Sequence, residues 1–270
     1  MRAKSFRAIS IVQQIQTELK LFWRSQETIF LTFLVPMLAM ALFIYLSREG
    51  MLASVFDLLF QGLGGEGKDA SDYSPITFMT LGMITYCIIA ASFESPLPKL
   101  VRERDRGLLK RLGGTPLQTW KFLMAKAVSA SVLALAEVFL ILVVGAVSKE
   151  LSVVGKWWDL GILLFLGSLM LSGLAFSLSS LTKTFDSAIV VVHGVYIPML
   201  LLCGAFVPIE VMPKVLEGIA RLLPLTYFVM PFREVMVNGS NLVTNAGDVL
   251  VLLGWTAGGW ILAIKTFRWH

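Results

Sequence analysis

The residues that could do chemistry are few, and most of them gather in one stretch. Residues 102–117 read R-E-R-D-R-G-L-L-K-R-L-G-G-T-P-L, set between two long apolar runs. A helix is expected over 98–113. On it Arg102, Glu103, Arg104, Asp105, Arg106, Lys110 and Arg111 crowd most of the surface, while Leu100, Leu108, Leu109 and Leu112 form an apolar strip. Glu103 and Arg106 stand three apart and are expected to pair. Setting the orientation of a membrane protein needs only Lys and Arg. Acids interleaved with bases beside a leucine strip instead suit a surface that a partner in water reads. Gly113 and Gly114 stop the helix, Thr115 caps the next one and Pro116 takes its first position.

Other reactive groups are scattered. Glu137 and His193 stand inside apolar runs. An ionised group at mid-bilayer costs about 2.5–3.5 kcal/mol, so each needs a role: lining a polar path, meeting another subunit, or making a local hydrogen bond. Arg233 and Glu234 are neighbours and are expected to pair near an interface. No Ser/His/Asp grouping and no metal-ligand spacing emerges, so no catalytic residue and no metal site is assigned. Residues 62–68, G-L-G-G-E-G-K, imitate the start of a phosphate-binding loop. Asp69 follows where a Ser or Thr would hold Mg²⁺, and no strand precedes. If the chain pumps, its ATPase is expected on another polypeptide, or its driving force is an ion gradient. Cys87 and Cys203 lie in apolar runs without an activating neighbour and read as apolar filler.

The elements that position these groups are set by solvent. The 270 residues are 56% hydrophobic and only 15% charged, against roughly 25% in soluble domains. With a mean hydropathy of +0.77, the chain fits a bilayer rather than water. The net charge of +5 comes from basic residues flanking apolar runs, which points to anionic lipid and topology and away from nucleic acid. Apolar runs at 28–46, 76–93, 118–147, 160–181, 188–207 and 247–266 predict six transmembrane helices. Pro36 is expected to kink the first, and Pro96 and Pro98 to end the second. Phe6, Ile9, Val12, Ile15, Leu19 and Phe22 recur at helical steps among Lys4, Arg7, Lys20 and Arg24, which predicts an interfacial amphipathic helix over 1–27. No signal-peptide core precedes it. The expected fold class is all-α: one polytopic membrane domain.

Lys and Arg are densest before the first span, after the second, after the fourth and at the tail, so those segments are expected in the cytoplasm with both termini. The 47–74 segment then lies outside as a flexible, acidic, Gly-rich loop. Pro208, Pro213, Pro224 and Pro231 cut residues 208–239 into helices too short to span, suited to re-entering the outer leaflet as a lid or gate.

Two of these stretches resemble one family. The 102–117 motif resembles the cytoplasmic loop of ABC type-2 transporter permeases, the membrane subunits of ATP-binding-cassette exporters. Arg102, Glu103, Arg104, Gly107, Leu109, Arg111, Leu112, Thr115 and Pro116 fall on its positions, and Leu108 departs from the usual small polar residue. The 203–239 stretch is similar to the family's C-terminal pattern through Gly204, Pro208, Met212, Pro213, Leu223, Pro224, Tyr227 and Arg233. The resemblance implies a coupling helix seated in a cytosolic ABC ATPase. That ATPase would carry the ATP and Mg²⁺, and this chain would hold no cofactor. It further implies a second permease copy or a paralogue, a bacterial or archaeal cytoplasmic membrane, and export of a hydrophobic or amphipathic, drug- or antibiotic-like substrate. Export of lipid or lipid-linked glycan fits the same family. An ATP-independent secondary transporter or channel is the alternative of another class, marked by paired broken spans in symmetric halves. Candidates for the substrate path or gate are Glu137, His193, Pro208, Met212, Pro213, Pro224, Tyr227 and Arg233.

Overall fold

The computed structural model describes residues 11–24, 26–62, 75–114, 118–148 and 153–267. Every regular element among them is helical. In chain order they are α1 (Ile11–Arg24), α2 (Gln26–Arg48), α3 (Met51–Gly62), α4 (Pro75–Ile89), a π turn (Ala90–Glu94), α5 (Pro96–Asp105), α6 (Leu108–Gly113), α7 (Thr119–Val147), α8 (Trp157–Ser179), α9 (Phe185–Leu202), a 3-10 turn (Ile209–Val211), α10 (Lys214–Ala220), α11 (Thr226–Asn238) and α12 (Ala246–Thr266). Five stretches are long and apolar enough to cross a bilayer: Pro75–Asp105, Thr119–Val147, Trp157–Ser179, Phe185–Leu202 and Ala246–Thr266. A sixth crossing is made if α2 and α3, bent by 91°, count as one span. The chain is an all-α, polytopic membrane protein.

Several boundaries differ from the sequence expectation, each for a local reason. The second span does not stop at Pro96. The π turn inserts an extra residue, Ser95 donates to the Ala90 carbonyl at 3.0 Å, and Pro96 enters α5 at a first-turn position where no N–H is needed. The helix therefore runs on to Asp105. The 47–74 segment is not all loop: Met51–Gly62 is an apolar helix with Phe56 buried 5.8 Å from the Phe78 ring. Of the 62–68 glycine motif only Gly62, the last residue of α3, is described; residues 63–68 lie outside the described residues. The fifth span begins earlier than expected, because Thr184 and Ser187 form a reciprocal capping box, and it ends at Leu202, just before Gly204 at φ 84°. Thr115 and Pro116 lie outside the described residues, and the third span starts at Thr119 after an extended Gln118. The N-terminal flank up to residue 10 is likewise outside them, and of the helix expected over 1–27 α1 covers Ile11–Arg24, with α2 beginning at Gln26.

The post at the centre of the bundle is α8, which packs on α7, α12, α5, α11 and the π turn. With no hydrophobic drive between helices in lipid, close backbone approach and hydrogen bonds must hold such crossings. At the α8–α12 crossing a β-carbon on Gly259 would stand 3.3 Å from the backbone of Gly173 and Leu174. The adjacent Trp260 donates its indole N–H to the Leu169 carbonyl at 3.0 Å. The apolar side chains left outward, such as Val132, Phe139, Ile197 and Ile261, suit lipid.

Gly259→Leu should force this crossing apart and lower the unfolding free energy in detergent by about 1–3 kcal/mol. Thermal unfolding followed by tryptophan fluorescence reads the change; an unaltered midpoint would mean the crossing is not tight.

Candidate functional site

Two neighbouring features make the site, a charged helical hairpin and a cleft behind it. The hairpin is α5 followed by α6. The sequence suggests one helix here, but Gly107 sits at φ 70°, a left-handed conformation that ends α5 and re-aims the chain into α6. The break sorts the side chains. Leu100 and Leu109 turn inward, 2% and 1% exposed, against Phe122, Phe176 and Ala263. Leu112 is half-buried against the same group. Leu108 leaves the expected strip and faces outward with Asp105, Arg106, Lys110 and Arg111.

The inward-facing charges are all engaged. Glu103 does not pair with Arg106. Its carboxylate takes a hydrogen bond from the Lys126 ammonium on α7 at 2.9 Å. Lys126 is 7% exposed, and its second carboxylate is Glu18 of α1 at 2.7 Å. Glu18 also takes Lys99 of α5 at 2.7 Å. Burial alone pushes the Glu18 carboxyl up, but the ammonium groups of Lys126 and Lys99 outweigh it and hold the group below its ordinary value. Arg104 donates to the Ser179 carbonyl at 3.2 Å and to the Thr182 carbonyl. It thus satisfies the end of α8, where backbone acceptors lack helical partners and the dipole favours a cation. Arg102 lies over the Phe185 ring at 4.0 Å, tying α5 to the start of α9.

Behind the hairpin lies a cleft of about 830 Å³ between α1, α2 and α7 on one side and α9 on the other, floored by the continuous helix through the π turn. Lys126, Ser129, Ala130, Leu133 and Glu137 line it from α7 at helical steps. Phe185, Ile189, Val192 and His193 line it from α9. Glu137, 3% exposed, stands three turns from Lys126, roughly 16 Å along the axis. Cys87, fully buried in the apolar core, borders the same cleft. His193 is 44% exposed, with Nδ1 2.9 Å from the Ile189 carbonyl oxygen and Nε2 3.9 Å from the Glu94 carboxylate.

The remaining candidates lie elsewhere. Pro208, Met212, Pro213, Pro224, Tyr227 and Arg233 do not border the cleft; they belong to the short helices at the opposite end of the bundle. Arg233 pairs with Glu210 at 2.8 Å rather than with Glu234, which accepts from Asn238. Thr226 and Tyr227 donate through their hydroxyls to the carbonyls of Ala220 and Arg221. These bonds tie the 3-10 turn, α10 and α11 together. Pro208, Met212 and Pro224 are buried within that group and Pro213 is exposed.

Sequence reasoning missed Glu18, Lys99, Glu94 and Tyr86 as parts of the site. Glu18 carried a signal, an acid among Ile15, Leu19 and Phe22 on an apolar stripe. Glu94 closes a charge-free run and sits on the π turn, a feature frequent at functional sites.

Lys126→Met would leave Glu18 and Glu103 facing each other without their shared cation. Loss of about 3–5 kcal/mol of stability is expected in denaturant titrations, against a change under about 1 kcal/mol if the cluster is incidental. Glu18 supplies a pH test. Because its folded carboxyl is held below the unfolded value, its contribution is complete above the ordinary glutamate range and is lost as pH falls through the lowered value. The stability gap between the wild type and Glu18→Gln should be flat from neutrality to about pH 5 and close below that. A gap that closes on raising the pH would reverse the assignment.

Comparison with known proteins agrees with this architecture. The ABC-2 type transporter family matches residues 10–237. The chain is similar to the probable multidrug ABC transporter permease YbhR of Escherichia coli (strain K12), 27% identical over 63% of this chain and 46% of that protein. It is 29% identical to the putative transport permease ycf38 of Cyanophora paradoxa, over 63% of this chain and 59% of that protein. It is 24% identical to the putative transport permease YvfS of Bacillus subtilis (strain 168), over 65% and 70%. The chain spans about half the length of the first of these relatives. With the family matched over most of its length, and with a helical bundle that bears a charged hairpin beside a polar-lined cleft, this chain belongs to the ABC-2 type transporter family.

Proposed function

We propose that this chain is the membrane-spanning permease subunit of an ATP-driven exporter, and that a separate cytosolic ATPase docks on the α5–α6 hairpin. The observation that carries the reading is how Gly107 divides the hairpin. Glu103, Arg104 and Leu109 fix it to the bundle, while Asp105, Arg106, Leu108, Lys110 and Arg111 are left outward. A segment that only set topology would have no use for so rigid a seat. The relatives named as multidrug ABC transporter permeases support the same direction.

Motion at the hairpin has a path inward. The helix that carries it continues through the π turn to Glu94 and Tyr86 at the cleft. ATP and Mg²⁺ would be held by the ATPase, whose closure would press the hairpin and tilt this helix, an alternating-access change. Arg102 and Lys99 reach from the hairpin itself to the cleft, so docking and path share side chains. A second permease copy or a paralogue would complete the path. In this reading the basic end faces the cytoplasm of a bacterial or archaeal cell with both termini, and the helices around Arg233 form a gate on the far side. The substrate is hydrophobic or amphipathic.

The outward residues should carry docking and the inward ones stability. Arg106→Glu with Arg111→Glu should abolish co-purification of the ATPase recovered with the wild-type complex and leave the permease melting temperature unchanged. Glu103→Gln and Arg104→Ala should lower that temperature first. Wild-type recovery of the ATPase with the double charge reversal would overturn the docking face.

A further inference from the structure

Charge in the cleft is unbalanced in a way the docking reading does not use. Near the hairpin the cations that line the cleft are engaged. Lys126 and Lys99 share Glu18, Lys126 also takes Glu103, and Arg102 stacks on Phe185. Among the described residues neither Glu137 nor Glu94 has a Lys or Arg partner. Glu137 is 97% buried and lines the cleft, and among the described residues no Lys, Arg or His forms an ion pair with it. Its neighbour is the Cys87 thiol, a weak donor with no charge to offer. Glu94 has one oxygen, Oε2, buried without a hydrogen-bond partner. Its other oxygen faces His193 at 3.9 Å, and that pair is ionic only when the imidazole is protonated. Tyr86 lines the same cleft.

A buried acid without a counter-charge is costly in its ionised form, and none of the described residues supplies one to Glu137. A ligand can. The walls around the acids are apolar, with Leu133 and Val192 among them. The cleft volume of about 830 Å³ lies in the range of small-molecule sites, which pair apolar walls with a few placed polar groups. A cation flanked by apolar groups would meet both needs, its charge answered by Glu137 and Glu94 and its face by the Tyr86 ring. An anion of the same shape would meet the two acids of that lining.

We propose that the cleft selects amphipathic cations, with Glu137 and Glu94 as the charge-selective pair. This deepens, and rests on, the reading of the cleft as the transport path. It is tested without the ATPase, so failure of docking and failure of cation selection are separate outcomes. Tetraphenylphosphonium and tetraphenylborate serve as probes, equal in shape and opposite in charge. Binding of each would be measured to the full chain in nanodiscs, with empty nanodiscs subtracted. Saturable binding of the phosphonium alone is expected. Glu137→Gln and Glu94→Gln should each weaken it about tenfold. The melting temperature of each variant identifies a protein that has merely unfolded, and either folded variant suffices for the test. The proposal is overturned if the folded chain shows no saturable phosphonium binding, if it takes both probes equally, or if the folded variants bind as the wild type does.

Discussion

Lys126 between Glu18 and Glu103 is the interaction on which the rest of the structure depends. In a protein with so little charge, this ammonium gathers three separate parts of the chain: the amphipathic α1, the hairpin helix α5 and the spanning helix α7. Lys99 extends the group by bridging α5 back to α1. An ion cluster this dry is conditional. Each member is tolerable only while the others stay, so the three elements hold one arrangement or lose it together. The amphipathic helix is therefore a strut pinned to the bundle.

From that cluster the hairpin acquires its two faces. Gly107 supplies the break, and Leu109 and Arg104 anchor either side of it, one in an apolar cluster and the other on the end of α8. What is left outward is a mixed-charge surface on a fixed support, which suits recognition better than a mobile loop. The same cations that seat the hairpin also rim the cleft. Displacement at one would be felt at the other through side chains held in common.

Legibility in the sequence followed the physics that fixes each part. Long charge-free runs are dictated by bilayer thickness, and helices cover most of each such run, the one through 76–93 continuing to Asp105. The hairpin was legible as a charged motif because few other stretches mix acids, bases and leucines so densely. Its division was not, since the choice between one helix and two rests on the left-handed Gly107, which the flanking pattern does not reveal. Pairing was the least legible. Glu103 with Lys126, Glu18 with Lys99 and Arg233 with Glu210 join residues 23 to 81 positions apart, whereas sequence neighbours such as Arg106 and Glu234 offered themselves first. The cleft escaped notice for a similar reason. Glu137 and His193 were visible singly, but Glu94 became a partner only once the π turn and α9 were brought together.

The account stands most directly on what touches Leu108, the exposed leucine at the turn of the hairpin. A photoreactive phenylalanine placed there, activated in native membranes, would capture its neighbour for identification by mass spectrometry. The account predicts a protein carrying a Walker ATP-binding motif. Capture of lipid or solvent alone would contradict it.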